Sequence, residues 1–333
     1  MADSHHVRWQ QAIVEDVRDV AQNIRRIVLR PARAKPVKPG EHIDVRVLIE
    51  GQLHIRSYSI VDAASDGSLV ALSVFLTSTS RGGSEFMHAI HAGDTLEVTE
   101  PLQNFPLRVG APRYVLLAGG IGITAIAGMA SLLQRLGADY RIIYTARSRS
   151  AMAYEEELRA AHGDRLETHI NDEGQTLDVP GLIGSLPDHV ELYMCGPIRL
   201  MDAVRRAWID RDLDPTNLRF ETFGNSGWFD AEPFTVRVPE LDIETVVHSD
   251  ETMLEALQRV GVDTMFDCRR GECGLCQVKI LELSGQVDHR DIFYSDRQKA
   301  PNTKMCCCVS RAVAHSSTPA SSTGHAVVTI ETP

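Results

Sequence analysis

The sequence has no stretch approaching the ~18 consecutive apolar residues that a membrane-spanning helix needs. Its first residues, Met1 to His6, are polar and carry no apolar h-region, so neither membrane insertion nor secretion is expected. Positive charge is also scarce: 34 Lys and Arg stand against 45 Asp and Glu, a net charge of −11. That balance argues against nucleic acid as a partner. No internal repeat is visible, and the scattered histidines and carboxylates form no recognisable nucleophile–base arrangement. The cysteines number seven, an odd count that does not make a disulfide framework and reads as reduced thiols in a cytoplasm. What is present is a chain of 333 residues with 43% hydrophobic content, enough for two or three domains with their own cores. Its acidity grows toward the C-terminal, cysteine-rich end, and an acidic face around a redox centre can steer a basic protein partner.

The cysteines carry the most information. Cys268, Cys273 and Cys276 stand in the order C-x4-C-x2-C, and Met305-Cys306-Cys307-Cys308-Val309-Ser310 follows about thirty residues later. That is the spacing of a plant-type [2Fe-2S] cluster. Structural zinc usually takes paired C-x2-C ligands, and one such pair is present here. The glycines of Cys268-Arg269-Arg270-Gly271-Glu272-Cys273-Gly274-Leu275-Cys276 let backbone amides approach sulfur closely, because they accept positive φ. Three ligands therefore come from one loop, and the fourth comes from Cys306, Cys307 or Cys308.

Residues 1–109 alternate short β-rich runs, such as Ile43–Val47 and Leu69–Val74, with Gly, Pro and Asp turns. This pattern predicts an antiparallel β-barrel. From Arg113 a buried-strand run, Tyr114–Ala118, leads into Gly119-Gly120-Ile121-Gly122, a helical stretch to Leu136 and a second strand at Tyr140–Tyr144. Repetition of that unit through Glu191–Met194 predicts a parallel α/β sheet over 110–225. The segment 224–233 breaks periodicity and reads as a linker. Residues 226–333 then read as a small α+β domain: a strand at Phe234–Val238, a helix from near Glu251 with Leu254, Leu257 and Val260 on one face, the cysteine loop, and strands at Gln277–Leu281 and Ala326–Ile330. The low-complexity run Ser316–Gly324 reads as a mobile loop.

Two motifs in the barrel suit a phosphate. In Arg56-Ser57-Tyr58-Ser59, an Arg two residues before a Tyr on an extended chain puts both side chains on one face, so a guanidinium can pair with phosphate while the ring lies beside a flat cofactor. Arg81-Gly82-Gly83-Ser84 precedes the helical Glu85–Ile90, a glycine turn at a helix N-terminus. Together they suggest a mononucleotide. In the α/β region, Gly119-Gly120-Ile121-Gly122-Ile123-Thr124 is a glycine turn between strand and helix, and Cys195-Gly196-Pro197 opens the next helix. Both fall at carboxyl ends of neighbouring strands, where open α/β sheets bind pyrophosphate-containing ligands. Read alone, Cys195 also fits a buried structural thiol.

In order and content these motifs resemble the phthalate dioxygenase reductase family, which includes the vanillate demethylase reductases. The resemblance covers essentially the whole chain. It implies an FMN-binding barrel, an NADH-binding domain and a C-terminal plant-type ferredoxin (β-grasp) domain. The family's flavin motif R-x-Y-[ST] corresponds to Arg56, Tyr58 and Ser59, its phosphate turn to Arg81 through Ser84, and its G-G-I-G-I-T turn to Gly119 through Thr124. Its C-G-P turn corresponds to Cys195 through Pro197, and its Phe-Gly beside the flavin to Phe223-Gly224, which makes Phe223 a candidate gate over the flavin. The family's C-V-S-R-A ending corresponds to Cys308 through Ala312 and implies Cys308 as the fourth ligand.

The match has two departures. Ala125 stands where the family usually has Pro, and Arg147-Ser148-Arg149 follows the second strand of the sheet. Acidic residues there favour a free 2′-hydroxyl and arginines a 2′-phosphate, so the resemblance implies NADH while these arginines leave NADPH open. The expected function is the monomeric, cytoplasmic reductase component of a two-component Rieske oxygenase, an enzyme of electron transfer with no catalytic triad. The alternatives are a reductase for another acceptor, such as a cytochrome P450, or a non-enzymatic redox sensor.

Overall fold

The computed structural model describes residues 7–49, 51–77, 81–223, 227–314 and 325–332. The chain divides into two compact units: one runs to Glu221 except for Pro197–Asp202, and the other takes that short segment together with everything from Thr222 onward.

The first unit opens with β1 (Trp9–Ala21), β2 (Ile24–Pro31), β3 (Glu41–Ile49), β4 (Gln52–Ala63) and β5 (Val70–Phe75), then α1 (Gly83–Ala89), β6 (Thr95–Thr99) and β7 (Leu102–Gln103). The strands pair in the order β4-β5-β2-β1-β6-β3-β7, and β3 pairs back onto β4, so six antiparallel strands close into a barrel and leave no long edge. Alternation does this. In β1, Ala12 and Val14 point inward between exposed Gln11, Ile13 and Glu15, the period-2 pattern of a strand with one wet face. Inside, Ile27, Leu29, Val45, Val47, Leu72 and Leu96 form one core.

The same unit continues with β8 (Arg113–Gly119), α2 (Ile123–Arg135), β9 (Tyr140–Ala146), α3 (Glu155–His162), β10 (Leu166–Ile170), α4 (Val179–Gly184), β11 (Val190–Cys195), the part of α5 (Ile198–Asp210) from Ala203 onward, and β12 (Leu218–Glu221). All pairings are parallel, in the order β10-β9-β8-β11-β12. The chain therefore walks outward from β8 through β9 to β10, then returns to β11 on the other side of β8. The switch point lies between β8 and β11. Both are buried almost throughout, as strands covered on two faces must be: Val115, Leu116, Leu117, Leu192 and Tyr193 are fully buried.

The second unit holds β13 (Phe234–Val238), β14 (Ile243–Val247), α6 (Met253–Arg259), β15 (Gln277–Ser284), β16 (Gln286–Asp288), α7 (Asp296–Lys299), β17 (Lys304–Cys306), β18 (Arg311–Val313) and β19 (Ala326–Ile330). The sheet order is β14-β13-β19-β15-β17, with β13 and β19 parallel and β16 paired to β18 apart from it. Helix α6 begins at Met253, two residues later than the apolar pattern suggests, because Thr252 caps it: the Thr252 hydroxyl accepts the Glu255 N–H while Glu255 reaches back to the Thr252 N–H. Such a cap is worth about 0.5–2 kcal/mol. The helix buries Met253, Leu254 and Leu257 against Phe234, Val236 and Val328.

Residues 227–233, expected as linker, are tied down. The Trp228 N–H donates to Asp288 (2.9 Å) and Arg290 donates to the Phe229 carbonyl (3.0 Å). A Cβ on Gly227 would stand 2.4 Å from the Arg290 guanidinium. The run Ser316–Gly324 lies outside the described residues, as do Gly224, Asn225 and Ser226.

Candidate functional site: a flavin cradle, a glycine-lined switch point and a thiol loop

In the barrel, Arg56 and Tyr58 on β4 come beside the turn that starts α1. The Arg56 guanidinium donates to the Arg81 carbonyl (3.3 Å) and the Tyr58 hydroxyl to the Gly83 carbonyl (3.5 Å). Gly82 takes a left-handed φ of 78° and caps α1 with no side-chain hydrogen bond at the helix start. A Cβ on Gly83 would press on the Arg56 side chain at 2.8 Å. A guanidinium laid across the amide end of a helix is an anion-binding arrangement, so the residues present fit the phosphate of a flavin nucleotide. Burial pushes the Tyr58 phenol well up, against the pull of Arg56, so it stays a neutral ring with a hydroxyl.

The other two members of that motif face elsewhere. The exposed Ser57 donates to Asp44 (2.5 Å), and the buried Ser59 donates to Glu221 (3.2 Å) at the end of β12. Glu221, 162 positions away, carries no signal in the sequence.

At the switch point the two glycine turns interlock. Gly120–Gly122 forms one 3-10 turn after β8. A Cβ on Gly122 would lie 2.1 Å from the Cys195 carbonyl oxygen, and one on Gly196 would lie 3.0 Å from the Gly119 Cα. Gly120 has φ +54° with open space around it. Ile123 and Thr124 are buried. The Thr124 hydroxyl donates to the Ile121 carbonyl (3.0 Å), closing the turn from behind. The Cys195 side chain is also buried, at 1% exposure. These residues shape a backbone surface at the carboxyl edge of β8 and β11, and Pro197 starts the segment leading into α5.

In the second unit the cysteine loop wraps one sulfur with amides. The N–H groups of Arg270, Glu272 and Cys273 all point to Cys268 Sγ at 3.4 Å. Burial pushes the Cys268 thiol up, and these donors work against it, which suits a sulfur that must be a thiolate to bind iron. Arg269, Gly271 and Gly274 take positive φ of 52°, 75° and 72°. Beyond the loop, the neighbouring thiols of Cys306, Cys307 and Cys308 pull the Cys276 thiol well down, against burial. The three neighbours then differ. Cys306 pairs with Gln277 across β15 and β17. Cys307 spends its N–H on the Cys276 carbonyl (3.0 Å) and its carbonyl on the Leu254 N–H (2.9 Å). The Cys276 thiol and burial push the Cys308 thiol up, and the Gly271 N–H works against them. Among the described residues no three His, Cys, Asp or Glu side chains gather as a single-ion site requires; a [2Fe-2S] cluster asks for two thiolates at each iron, and the all-sulfur donor set suits it.

Behind the loop sits a carboxylate the sequence did not single out. Asp291 is fully buried and accepts the Tyr294 N–H (3.0 Å), the Ser310 hydroxyl (3.1 Å) and the His289 ring (3.3 Å). Burial pushes its carboxyl up, while His289 and Lys299 pull it below the usual range. Phe223 is part-buried and begins the second unit with Thr222, whose hydroxyl donates to the Arg270 carbonyl (2.7 Å).

A closed flavin-type barrel, a doubly wound nucleotide sheet and an amide-wrapped thiol loop in one chain define an iron–sulfur flavoprotein reductase. Residues 236–313 match the family model for the 2Fe-2S iron-sulfur cluster binding domain. The chain is 33% identical over 274 residues to the carnitine monooxygenase reductase subunit of Acinetobacter pittii, covering 82% of this chain and 88% of that one. It is 32% identical to the vanillate O-demethylase oxidoreductase of a Pseudomonas species, covering 91% and 96%. The crystal structure of phthalate dioxygenase reductase, which its title describes as modular for electron transfer from pyridine nucleotides to [2Fe-2S], superposes with a TM-score of 0.70 at 27% identity over 97% of this chain and 98% of that one. The chain belongs to the phthalate dioxygenase reductase family of oxygenase reductase components.

Proposed function

We propose that this protein passes electrons from NADH, through FMN and one [2Fe-2S] cluster, singly to a separate Rieske oxygenase. The observation that carries the reading is the Cys268 cradle: three amides aimed at one sulfur, in a chain that also holds a nucleotide sheet, serve a one-electron exit that a simple flavin reductase does not need. When bound, a flavin accepts two electrons from NADH and releases them one at a time to an acceptor that holds one.

Every other task falls to the protein. Arg56 and the turn Arg81–Ser84 hold the flavin phosphate, the Tyr58 ring flanks the flavin, and Ser57 and Ser59 brace that strand. The backbone of Gly119, Gly120, Gly122 and Gly196, shaped by Ile123, Thr124, Cys195 and Pro197, receives the dinucleotide. Cys268, Cys273, Cys276 and Cys308 hold the iron. Cys308 is favoured over Cys306 and Cys307 because the family's C-V-S-R-A ending falls on Cys308 through Ala312 and the Gly271 N–H of the thiol loop acts on its sulfur. Phe223 serves as the gate that excludes water and oxygen from the flavin until NADH displaces it. The domains are 1–109 for flavin, 110–225 for NADH and 226–333 for the cluster, in a cytoplasmic monomer whose partner is the terminal oxygenase. Among the described residues no helix is long and apolar enough to cross a membrane.

Anaerobic titration of the purified holoprotein with NADH tests the reading. Flavin absorbance bleaches first and the electron paramagnetic resonance signal of the reduced cluster follows; adding a candidate oxygenase and its substrate then gives NADH-dependent product. Heat-released flavin runs as FMN on chromatography. FAD as the only flavin, or no cluster signal after full flavin bleaching, would overturn it.

A further inference from the structure

Arg149 stands just past the carboxyl end of β9, the strand that pairs with β8 so that Thr145 lies opposite Gly119 of the glycine turn. An arginine at this edge of a dinucleotide sheet is the usual partner of a 2′-phosphate. Here its fork is already taken. Nε and Nη2 donate to the two carboxylate oxygens of Glu173 at 3.0 and 2.8 Å, and Nη1 donates to both oxygens of Glu155 at 2.8 and 3.0 Å. Glu155 opens α3, and Glu173 closes the 3-10 turn after β10, so two neighbouring elements converge on one guanidinium.

The clamp sits on a fixed base. The Gln22 N–H donates to the Ser150 carbonyl (2.7 Å), and the Ser150 hydroxyl donates to the Gln22 side chain (2.9 Å). The Tyr154 hydroxyl meets Ser73 of β5 at 2.5 Å, and the Asp172 N–H donates to the Arg147 carbonyl (3.0 Å). Paired charge-assisted bonds of this geometry are the strong kind, and redirecting Arg149 would strip Glu173 of its partner while Glu155 kept only Arg159 (3.1 Å). Glu173, 38% exposed, is meanwhile the kind of acceptor that suits a free ribose hydroxyl.

We propose that the Glu155–Arg149–Glu173 clamp sets coenzyme preference: it withholds Arg149 from a 2′-phosphate and so selects NADH over NADPH. The inference rests on reading this sheet as the nicotinamide coenzyme domain. Two measurements on the full holoprotein test it: the ratio of kcat/KM for NADPH to that for NADH with ferricyanide as acceptor, and calorimetric affinity for adenosine 2′,5′-bisphosphate, which needs no turnover.

The parent protein prefers NADH. In Glu155→Gln combined with Glu173→Gln the ratio and the bisphosphate affinity both rise, by roughly ten- to a hundredfold for one recovered charge-assisted contact. Glu173→Gln alone, on an exposed side chain, moves both in the same direction by less and guards against a folding defect in the double variant. NADPH matching NADH in the parent, or an unmoved ratio and affinity in a variant that melts like the parent, overturns the proposal. If neither coenzyme bleaches the flavin, it is the proposed function that fails.

Discussion

Gly271→Ala tests whether the thiol loop is held by its backbone. Gly271 sits at φ +75°, and a Cβ there would meet the Val309 side chain at 2.7 Å and the Asp291 Cα at 2.9 Å. The left-handed backbone costs an alanine about 1–2 kcal/mol, and forcing a methyl into a filled space costs about 1–3 kcal/mol more. The total of about 2–5 kcal/mol is a large share of a domain's ~5–15 kcal/mol. Displacement is the cheaper escape, and it is not neutral: the Gly271 carbonyl accepts the N–H groups of Ile292 (3.0 Å) and Phe293 (3.2 Å), and its own N–H serves Cys308. Gly261→Ala is the internal control, with φ +83° and nothing within 4 Å of its Cβ, so it carries the backbone cost alone. Iron per protein and the temperature at which cluster colour bleaches are the assays. The Gly271 variant loses iron or bleaches roughly ten degrees or more below the parent, while the Gly261 variant keeps its iron and falls less far. Parent-like iron and bleaching in Gly271→Ala, or equal effects at both glycines, would refute the packing argument.

Five further variants separate the remaining assignments. Cys308→Ser abolishes the reduced-cluster signal while Cys306→Ala and Cys307→Ala retain it with parent-like iron content; the reverse outcome for any of the three moves the fourth ligand. Gly122→Ala drives a methyl toward the Cys195 carbonyl at 2.1 Å, so the KM for NADH rises about tenfold or more with cluster and flavin content unchanged, the ~1–3 kcal/mol of overpacking falling on the coenzyme turn. Stopped-flow flavin bleaching reads it, and an unchanged KM would place the dinucleotide elsewhere. Phe223→Ala raises NADH-dependent oxygen consumption in the absence of the oxygenase and leaves the cluster spectrum as in the parent; loss of cluster reduction with normal NADH binding would mean that Phe223 only packs where it stands.

The elements that the sequence makes legible are those whose cause is local. Short β-rich runs between turns mark β3 and β5, continuous apolar runs mark β8 and β11, and the C-x4-C-x2-C spacing marks the loop, because all are written within a few residues of chain. Long-range polar pairing is not written that way. Arg149 reads from sequence as a free cation at a phosphate edge, yet Glu173, 24 positions on, arrives only because β10 lies beside β9. Residues 224–233 read as a linker because Gly, Asn and Ser break periodicity, yet Asp288 and Arg290, some sixty positions after Trp228 and Phe229, fasten those two. Three successive cysteines are indistinguishable by composition; only the fold gives them different backbone partners, Cys306 pairing with Gln277 while Cys307 donates its N–H to the Cys276 carbonyl.

Even where a residue is legible, its reason need not be. Gly122 and Gly271 both mark turns in the sequence, but Gly122 has φ −58°, a backbone any residue accepts, and refuses alanine only because the Cys195 carbonyl occupies the space. Gly271 refuses it twice, through its φ and through Val309 and Asp291. A substitution at Gly122 can therefore be relieved from the other side, by movement of the turn that follows β11, whereas none at Gly271 can be relieved without giving up the left-handed backbone that aims its N–H at Cys308. The coenzyme turn is thus the more adjustable of the two, and the thiol loop the less forgiving.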